Sequence, residues 1–214
     1  MRIITMFIDM SISRPKLGWS QPLETEVRLS TTEHAVLGLL AFGESSGYDL
    51  ARYAERSIDY MWAPSRSQIY KVLPRLVDRG LAESREVAQR SRPDKALFRI
   101  TTAGLSTLRS WVEDVEDDPP GGPAVFLLKL FFAWVAPPEV AQAQLEAYRG
   151  LLERHLAAFE EMERAPLRDE PVHSRIALRH GITRARATLE WVEEAKSLLE
   201  ADGGRLSGSR RNRR

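Results

Sequence analysis

A short run of hydrogen-bonding side chains begins the segment from Ser65 to Leu81. Its members are Ser65, Arg66, Ser67, Gln68 and Lys71. In a groove of duplex DNA a glutamine can bond adenine through two hydrogen bonds, an arginine can bond guanine in the same way, and serine or lysine can bond the backbone. The run therefore has the donors and acceptors that contact with base edges requires. An ordinary solvated helix start would have the same composition, and that alternative stays open.

The run continues into a helix that packs by one face. Apolar residues recur at helical spacing from Ile69 to Leu76, and the sequence Asp78-Arg79-Gly80-Leu81 ends the pattern. Pro64 and Ser65 are residue types that begin helices. This layout predicts a helix that buries its apolar face and presents its first turns, up to Lys71, to DNA.

Two residues of this helix complicate the prediction. Tyr70 could contact a phosphate, or it could place its ring in the core and expose only its hydroxyl group. Pro74 lies inside the predicted helix and removes the hydrogen bond to the carbonyl of Tyr70, so we expect a kink there. Because a kink would redirect the residues that follow, Arg75 and Arg79 are not assigned as base readers.

Basic residues follow this helix around a predicted hairpin. Two short strands, Ala82 to Val87 and Ala96 to Ile100, flank the turn Arg92-Pro93-Asp94. Arg90, Arg92 and Lys95 lie at or near its tip, where they could bind phosphates or enter the minor groove. Exposed arginines on a hairpin often only increase solubility, and this alternative also stays open. A helix followed by a basic hairpin predicts the recognition helix and wing of a winged helix-turn-helix.

Two predicted helices precede the segment and one follows the hairpin. Thr31 or Thr32 can cap the first helix. Gly43 to Gly47 predicts a turn, and the second helix starts near Tyr48 and continues towards Ser57. After the hairpin, a further helix is predicted to begin with the capping sequence Thr101 to Gly104 and to continue through Val112.

Three more helices are predicted in the second half. Asp114 to Pro123 is acidic and then rich in proline and glycine, which predicts a linker. The helices then run from Val125 to Trp134, from Glu139 to about Arg164, and onward from Pro171. The last two have apolar seams at heptad-like spacing, formed by Leu145, Tyr148, Leu152, Phe159 and Met162 and by Ile182, Ala185, Leu189, Val192 and Leu199. We expect these seams to pack against each other and against a second subunit.

The predicted fold is mainly α-helical and has two domains. Residues 30–112 are predicted to form a winged helix-turn-helix, residues 113–123 a linker, and residues 124–202 an antiparallel helical dimerisation domain. Residues 1–29 are predicted to be irregular, with a short strand at Ile3 to Ile8, or to result from a wrongly chosen start codon. Residues 203–214 are predicted to be a disordered basic tail, which could add nonspecific affinity for nucleic acid or have no role.

Charge is distributed unevenly along the chain, although the formal net charge is only +1. Residues 30–112 contain 12 Lys/Arg and 9 Asp/Glu, which gives +3, whereas residues 113–202 contain 10 and 18, which gives −8. An excess of +3 alone would indicate an ordinary solvated surface. It supports nucleic-acid binding only because the same residues carry the helix-turn-helix pattern.

Composition and spacing exclude several other functions. The absence of cysteine rules out disulfides and thiolate metal sites. The four histidines are scattered, and we find neither a phosphate-binding glycine loop nor a nucleophile elbow. We therefore predict no catalytic, cofactor or metal site. The longest apolar run is too short to span a bilayer and the N-terminus lacks a cleavage site, so we expect a cytoplasmic protein without membrane association.

The order of several short motifs resembles the PadR family of transcriptional regulators over roughly residues 30–200. The motifs are Thr31 to Leu40, Ser46-Gly47-Tyr48-Asp49-Leu50, Gln68-Ile69-Tyr70, Leu76 to Leu81, Arg92-Pro93-Asp94-Lys95, Phe98 to Gly104, Phe126 to Phe132, and Leu189-Glu190-Trp191-Val192. The resemblance implies a DNA-binding, usually repressing dimer whose C-terminal helices form the dimer. It also permits a small aromatic effector near Trp134 and the Phe131-Phe132 pair, for which ordinary packing is the alternative.

We therefore expect a homodimer that binds promoter DNA and represses transcription. Two-fold symmetry predicts a pseudo-palindromic site with half-sites about 10 bp or a multiple apart. One alternative is a helical protein-interaction module whose winged helix does not bind DNA. Another is a small-molecule-binding scaffold or enzyme, which would need a polar, titratable pocket.

Overall fold

The computed structural model describes residues 28–62, 64–87, 95–116, 121–164 and 171–211. Within these ranges the helices are α1 (Thr31–Leu40), α2 (Gly47–Ser57), α3 (Arg66–Asp78), α4 (Thr102–Glu113), α5 (Gly122–Phe131), α6 (Pro138–Arg164) and α7 (Val172–Arg211), with a 3-10 turn at Ala133–Val135. The strands are β1 (Ser45–Ser46), β2 (Ala82–Val87) and β3 (Lys95–Ile100). The mainly helical fold with a winged helix-turn-helix is confirmed.

Helix α1 begins with a capping box at Ser30. The Ser30 hydroxyl accepts a hydrogen bond from the Glu33 backbone N–H at 3.2 Å, and Glu33 Oε2 accepts one from the Ser30 backbone N–H at 2.8 Å. The sequence prediction of a cap at Thr31 or Thr32 is therefore wrong. Ser30 is favoured because a glutamate stands three residues after it, which satisfies two terminal N–H groups reciprocally.

The sheet is antiparallel, with strand order β1-β3-β2. Strand β2 pairs with β3 from Ala82 opposite Ile100 to Val87 opposite Lys95, as the two predicted strands require. Strand β1 pairs Ser45 with Phe98, in a segment predicted only as a turn. Two residues are too few to show a period, and this strand depends on a partner far along the chain.

The first three helices and the sheet enclose one apolar core. Helix α3 contributes Ile69, Val72, Leu73 and Leu76, which are all at most 5% exposed. The helix end is fixed by close packing against α4, because a Cβ at Gly104 would overlap the carbonyl oxygen of Leu81. The buried face of α3 therefore leaves its opposite face and first turn in solvent.

This core continues into the second half of the chain. The ring of Phe132 is fully buried and lies on Gly38 of α1, where a Cβ would come within 2.6 Å of it. Leu128 of α5 belongs to the same buried cluster. Helix α5 and the 3-10 turn thus cover part of the winged helix-turn-helix.

Three side chains bond backbone carbonyls across this junction. Lys129 Nζ donates to Asp114 O at 2.5 Å, Gln144 Nε2 donates to Val112 O at 2.8 Å, and Arg109 Nε donates to Val135 O at 2.8 Å. Lys129 is 2% exposed, and burial lowers its pKa although the carboxylates of Asp114 and Glu116 oppose this. The C-terminal end of α4 is therefore held by side chains from α5 and α6.

Helices α6 and α7 form an antiparallel hairpin. Lys196 pairs with Glu146 at 3.0 Å, and Arg186 pairs with Glu160 at 2.8 Å. Residues later in α7 therefore contact residues earlier in α6, as antiparallel helices require. Leu145, Tyr148, Leu152 and Val192 share a second apolar cluster with Phe126 of α5. The predicted packing of one seam against the other is confirmed.

Three predicted boundaries differ from the structure or lie outside it. Helix α5 ends at Phe131, and the 3-10 turn replaces the predicted helix up to Trp134, because Pro137 and Pro138 follow closely. Helix α7 continues to Arg211, through most of the tail that was predicted to be disordered; each of the three glycines in this part weakens a helix by only about 1 kcal/mol. The predicted extension before residue 28, with its strand at Ile3 to Ile8, lies outside the described residues.

None of the helices in the described ranges has both the length and the apolar character needed to cross a membrane.

Candidate nucleic-acid interface

The first turn of α3 is fixed by a capping box between Ser65 and Gln68. The Ser65 hydroxyl accepts the Gln68 backbone N–H at 3.2 Å, and Gln68 Oε1 accepts the Ser65 backbone N–H at 2.8 Å. The predicted helix start is confirmed. Because a two-bond contact with adenine needs the oxygen as well as the nitrogen of the Gln68 amide, the oxygen would have to accept a second hydrogen bond or give up the capping bond.

Arg66 forms a two-bond ion pair with Glu55 of α2. Arg66 Nε donates to Glu55 Oε1 at 2.8 Å, and Nη2 donates to Oε2 at 3.2 Å. The two side chains are 56% and 47% exposed. The hydrogen bond from Arg66 lowers the pKa of Glu55, and the same pairing raises the pKa of Arg66. The pair is therefore exposed to solvent and links the two helices of the helix-turn-helix.

The solvent face of α3 carries Ser67, Tyr70 and Lys71, all exposed. Tyr70 is 53% exposed, and its Cε1 lies 2.8 Å from the position that a Cβ of Gly47 would take. The ring thus packs on the α2 backbone while its outer edge remains accessible. The ring is therefore not placed in the core with only its hydroxyl group exposed, and contact of Tyr70 with a phosphate stays a prediction.

Helix α2 adds residues to this surface that the sequence interpretation did not select. Tyr48 is 53% exposed, and the guanidinium of Arg52 lies over its ring at 5.9 Å from the centroid. We call the surface formed by Tyr48, Arg52, Glu55, Arg66 and Tyr70 the α2–α3 face. The spacing of Tyr48, Arg52 and Glu55 along one side of an amphipathic helix was a usable signal.

The basic residues after α3 are only partly described. Arg85 bonds Glu44 through two hydrogen bonds of 2.8 and 2.6 Å, and Arg99 Nε donates to Glu83 at 2.7 Å. Lys95 begins β3, and its side chain is not described. Arg90 and Arg92, with the predicted tip of the wing, lie outside the described residues. The first turn of α3 is therefore assembled in the structure, and the contribution of the wing stays a prediction.

An open cleft of about 1290 Å³ lies where α1, α4 and α5 meet. His34 and Trp111 stack in it with ring centroids 4.5 Å apart, and Arg79 and Lys129 also line it. His34 Nδ1 lies 3.1 Å from the carbonyl of Ser30. Burial lowers the pKa of His34 to about 4, so its ring is neutral at pH 7.

Trp134, which the sequence interpretation considered for an aromatic cavity, lies elsewhere. It is 53% exposed and packs against Phe42 with ring centroids 5.0 Å apart. Among the described residues, the acidic and histidine side chains form no group that could hold a metal ion.

Three helices around a small antiparallel sheet, with the first turn of the third helix in solvent, define the winged helix-turn-helix class of protein. Residues 36–110 match the transcriptional regulator PadR-like family, and residues 124–200 match the virulence activator alpha C-terminal family. The chain therefore carries a PadR-like family domain followed by a virulence activator alpha C-terminal domain.

Two relatives match most of the chain. A probable transcriptional regulator of Mycobacterium tuberculosis, Rv1176c, is 29% identical over 182 residues, which are 78% of this chain and 96% of that protein. The negative transcriptional regulator PadR of Bacillus subtilis is 26% identical over 181 residues, 79% of this chain and 98% of that protein. The crystal structure of Bacillus subtilis PadR with operator DNA is 24% identical, covers 79% of this chain and 99% of that one, and has a TM-score of 0.41.

Proposed function

We propose that this chain is a sequence-specific DNA-binding regulator that represses transcription as a homodimer and catalyses no reaction. The observation that carries the proposal is the first turn of α3, whose exposed hydrogen-bonding side chains project from a helix anchored in the core by Ile69 and Leu73. The match of residues 36–110 to a family of transcriptional regulators supports it, and repression follows the name of the Bacillus subtilis relative. Access to promoter DNA places the protein in the cytoplasm.

Each predicted contact residue has a role in this proposal. Ser67, Tyr70 and Lys71 form the centre of the solvent face of α3 and enter the major groove. Ser65, Arg66 and Gln68 lie at the helix start, where base edges and phosphates are both within reach. Arg90, Arg92 and Lys95 bind phosphates from the wing, as the sequence predicts.

A two-fold dimer places two copies of α3 on successive turns of the duplex. We assign the dimer contact to the C-terminal helices, because α7 exposes large apolar residues after its seam with α6 is filled. Val172, Ile176 and Leu198 are 57%, 62% and 66% exposed. Val172 and Ile176 lie about one helical turn apart, so one partner helix would cover both, whereas Leu198 lies far along the same helix.

A small aromatic effector would enter the cleft between α1, α4 and α5. The stacked rings of His34 and Trp111 offer an aromatic wall, and Arg79 and Lys129 provide positive charge. Because residues from both halves of the chain line this cleft, an occupant would alter how α5 sits on the winged helix-turn-helix. The proposed consequence is a change in the spacing of the two α3 helices and release of the DNA.

Selection of bound duplexes from a random DNA library tests the proposal. We expect an enriched inverted repeat with half-site centres about 10 bp or a multiple apart, and binding that weakens steeply as salt rises. Lys71→Ala should weaken binding of the selected duplex by about tenfold. Arg154→Ala, which removes an exposed cation from α6, is the matched control and should bind as the wild type does.

Two outcomes would contradict the proposal. If no inverted repeat is enriched, the protein does not recognise an operator. If affinity for DNA is absent at low salt as well, the winged helix belongs to a protein-interaction module, and Lys71→Ala should then leave partner binding unchanged.

A further inference from the structure

Glu55 is a carboxylate on the surface that we propose faces DNA. It projects from the exposed side of α2 and is held by both Nε and Nη2 of Arg66 at 2.8 and 3.2 Å. The guanidinium groups of Arg52 and Arg56 also act on it electrostatically. Because phosphates repel a carboxylate, its position on a DNA-binding face requires an explanation beyond stability. An exposed ion pair of this kind stabilises a fold by less than about 1 kcal/mol.

The Arg66 guanidinium can serve one planar acceptor at a time through this edge. The Nε and Nη2 donors that bond Glu55 have the fork geometry that fits guanine O6 and N7, or two oxygens of a phosphate. Binding of DNA through the Nε/Nη2 edge of Arg66 therefore means exchange of Glu55 for a nucleic-acid acceptor. Until that exchange occurs, Arg66 offers little net charge to an approaching duplex.

This exchange has different consequences on cognate and non-cognate DNA. On a cognate site, a guanine edge can replace both hydrogen bonds of Glu55 with the same geometry. On a non-cognate duplex, attraction comes almost entirely from phosphates, and the uncompensated charge of Glu55 opposes it. The penalty is thus larger where the base contact is missing.

We propose that Glu55 is a specificity-determining residue that restrains Arg66 and suppresses binding to non-cognate DNA. This inference rests on the proposed function, because it assumes that the α2–α3 face meets a duplex. Glu55 touches Arg66 rather than DNA, so it acts as a positioning residue.

Glu55→Gln tests the inference, since it removes the charge and keeps the shape of the side chain. Binding is measured by fluorescence anisotropy on the duplex selected by the wild type and on a scrambled duplex of equal length, over a series of salt concentrations. On the scrambled duplex we expect about tenfold tighter binding at low salt, and a log–log salt slope steeper by about 0.9 from one added phosphate contact. On the selected duplex the gain should be threefold or less, so the specificity ratio falls.

A double-mutant cycle assigns the effect to Arg66. In an Arg66→Ala background, Glu55→Gln should change binding to the scrambled duplex much less than in the wild type, because the restrained cation is gone. Glu153→Gln is the charge control. It removes the same charge from an exposed carboxylate that pairs with Arg149 on α6, and it should change neither affinity nor slope.

The two proposals fail in different ways. If the wild type and Glu55→Gln bind neither duplex at low salt, the proposed function is overturned. Suppose instead that the wild type selects a site, and that Glu55→Gln either binds the scrambled duplex with the wild-type affinity or binds both duplexes more tightly by the same factor. Either result overturns the role of Glu55 and leaves the proposed function standing. Unchanged thermal unfolding of each variant shows that altered folding does not account for the result.

Discussion

His34 lies in an environment that favours its neutral form. It is only 8% exposed, its ring stacks on Trp111, and burial lowers its pKa to about 4 from an ordinary 6.5. The unfolded chain therefore binds a proton between these two pH values that the folded chain does not bind. Because of this difference, His34 makes its full contribution to the free energy of unfolding above pH 6.5, and the contribution falls as the pH is lowered towards 4.

The prediction at this scale concerns acid stability. The wild type should lose up to about 3 kcal/mol of unfolding free energy through His34 between pH 6.5 and 4. His34→Phe keeps an aromatic ring against Trp111 without a titratable group, so its stability should fall less steeply over that range. Urea unfolding at a series of pH values measures both. His173→Gln, at an exposed position on α7, should keep the wild-type slope; equal slopes for all three proteins would contradict the pKa assignment.

Hydrogen bonds at the N-terminal ends of α1 and α3 stabilise these helices. Helix α3 starts with a reciprocal pair of hydrogen bonds between Ser65 and Gln68, and α1 starts with the same arrangement between Ser30 and Glu33. These caps satisfy N–H groups that have no partner inside the helix. In α3 the cap also fixes the direction in which the side chains of the first turn project.

Ser65→Ala separates this structural role from DNA contact. Loss of the cap should lower the free energy of unfolding by about 1 kcal/mol. Ser67 is exposed and lies two residues further along the chain. Ser67→Ala should change the free energy of unfolding by less than about 0.5 kcal/mol, and the variant should bind DNA more weakly. Denaturant unfolding and anisotropy on the selected duplex measure the two effects. Equal stabilities of the two variants would show that the capping box contributes nothing.

Local signals account for what the sequence could predict about these elements. The start of α3, the strands β2 and β3, and the long helices α6 and α7 all follow from residues close together in the chain. Strand β1 could not be predicted, because it pairs with β3 in a distant segment of the chain. The same limit applies to the site, where the side chains of the first turn were predictable and the pairing of Arg66 with Glu55 across two helices was not.

At the scale of the whole molecule, the two halves share their packing. The sequence separates them by an acidic, Pro/Gly-rich connection, which predicted independent domains. In the structure, Phe132 lies against Gly38 of α1, and Lys129 and Gln144 bond the end of α4. Composition shows where the chain changes character, but it does not show which buried faces meet across the change.

Phe132→Ala tests this coupling. Loss of a fully buried ring should lower the free energy of unfolding by about 3–5 kcal/mol. The wild type should unfold in one transition, with the far-ultraviolet helix signal and tryptophan fluorescence coincident. Phe42→Ala removes the same ring from a position that is 47% exposed and should cost much less. Two separate transitions in the wild type, or equal costs for the two variants, would show that the halves are independent.

The contact of Phe132 with Gly38 also sets where this protein can be divided and recombined. A chimaera that joins the winged helix-turn-helix to a foreign sensor module immediately after α4 would leave an apolar groove on α1 without its cover. A DNA-binding unit suitable for transfer to another protein therefore extends through α5 and the 3-10 turn to Val135, well past the boundary that composition suggests.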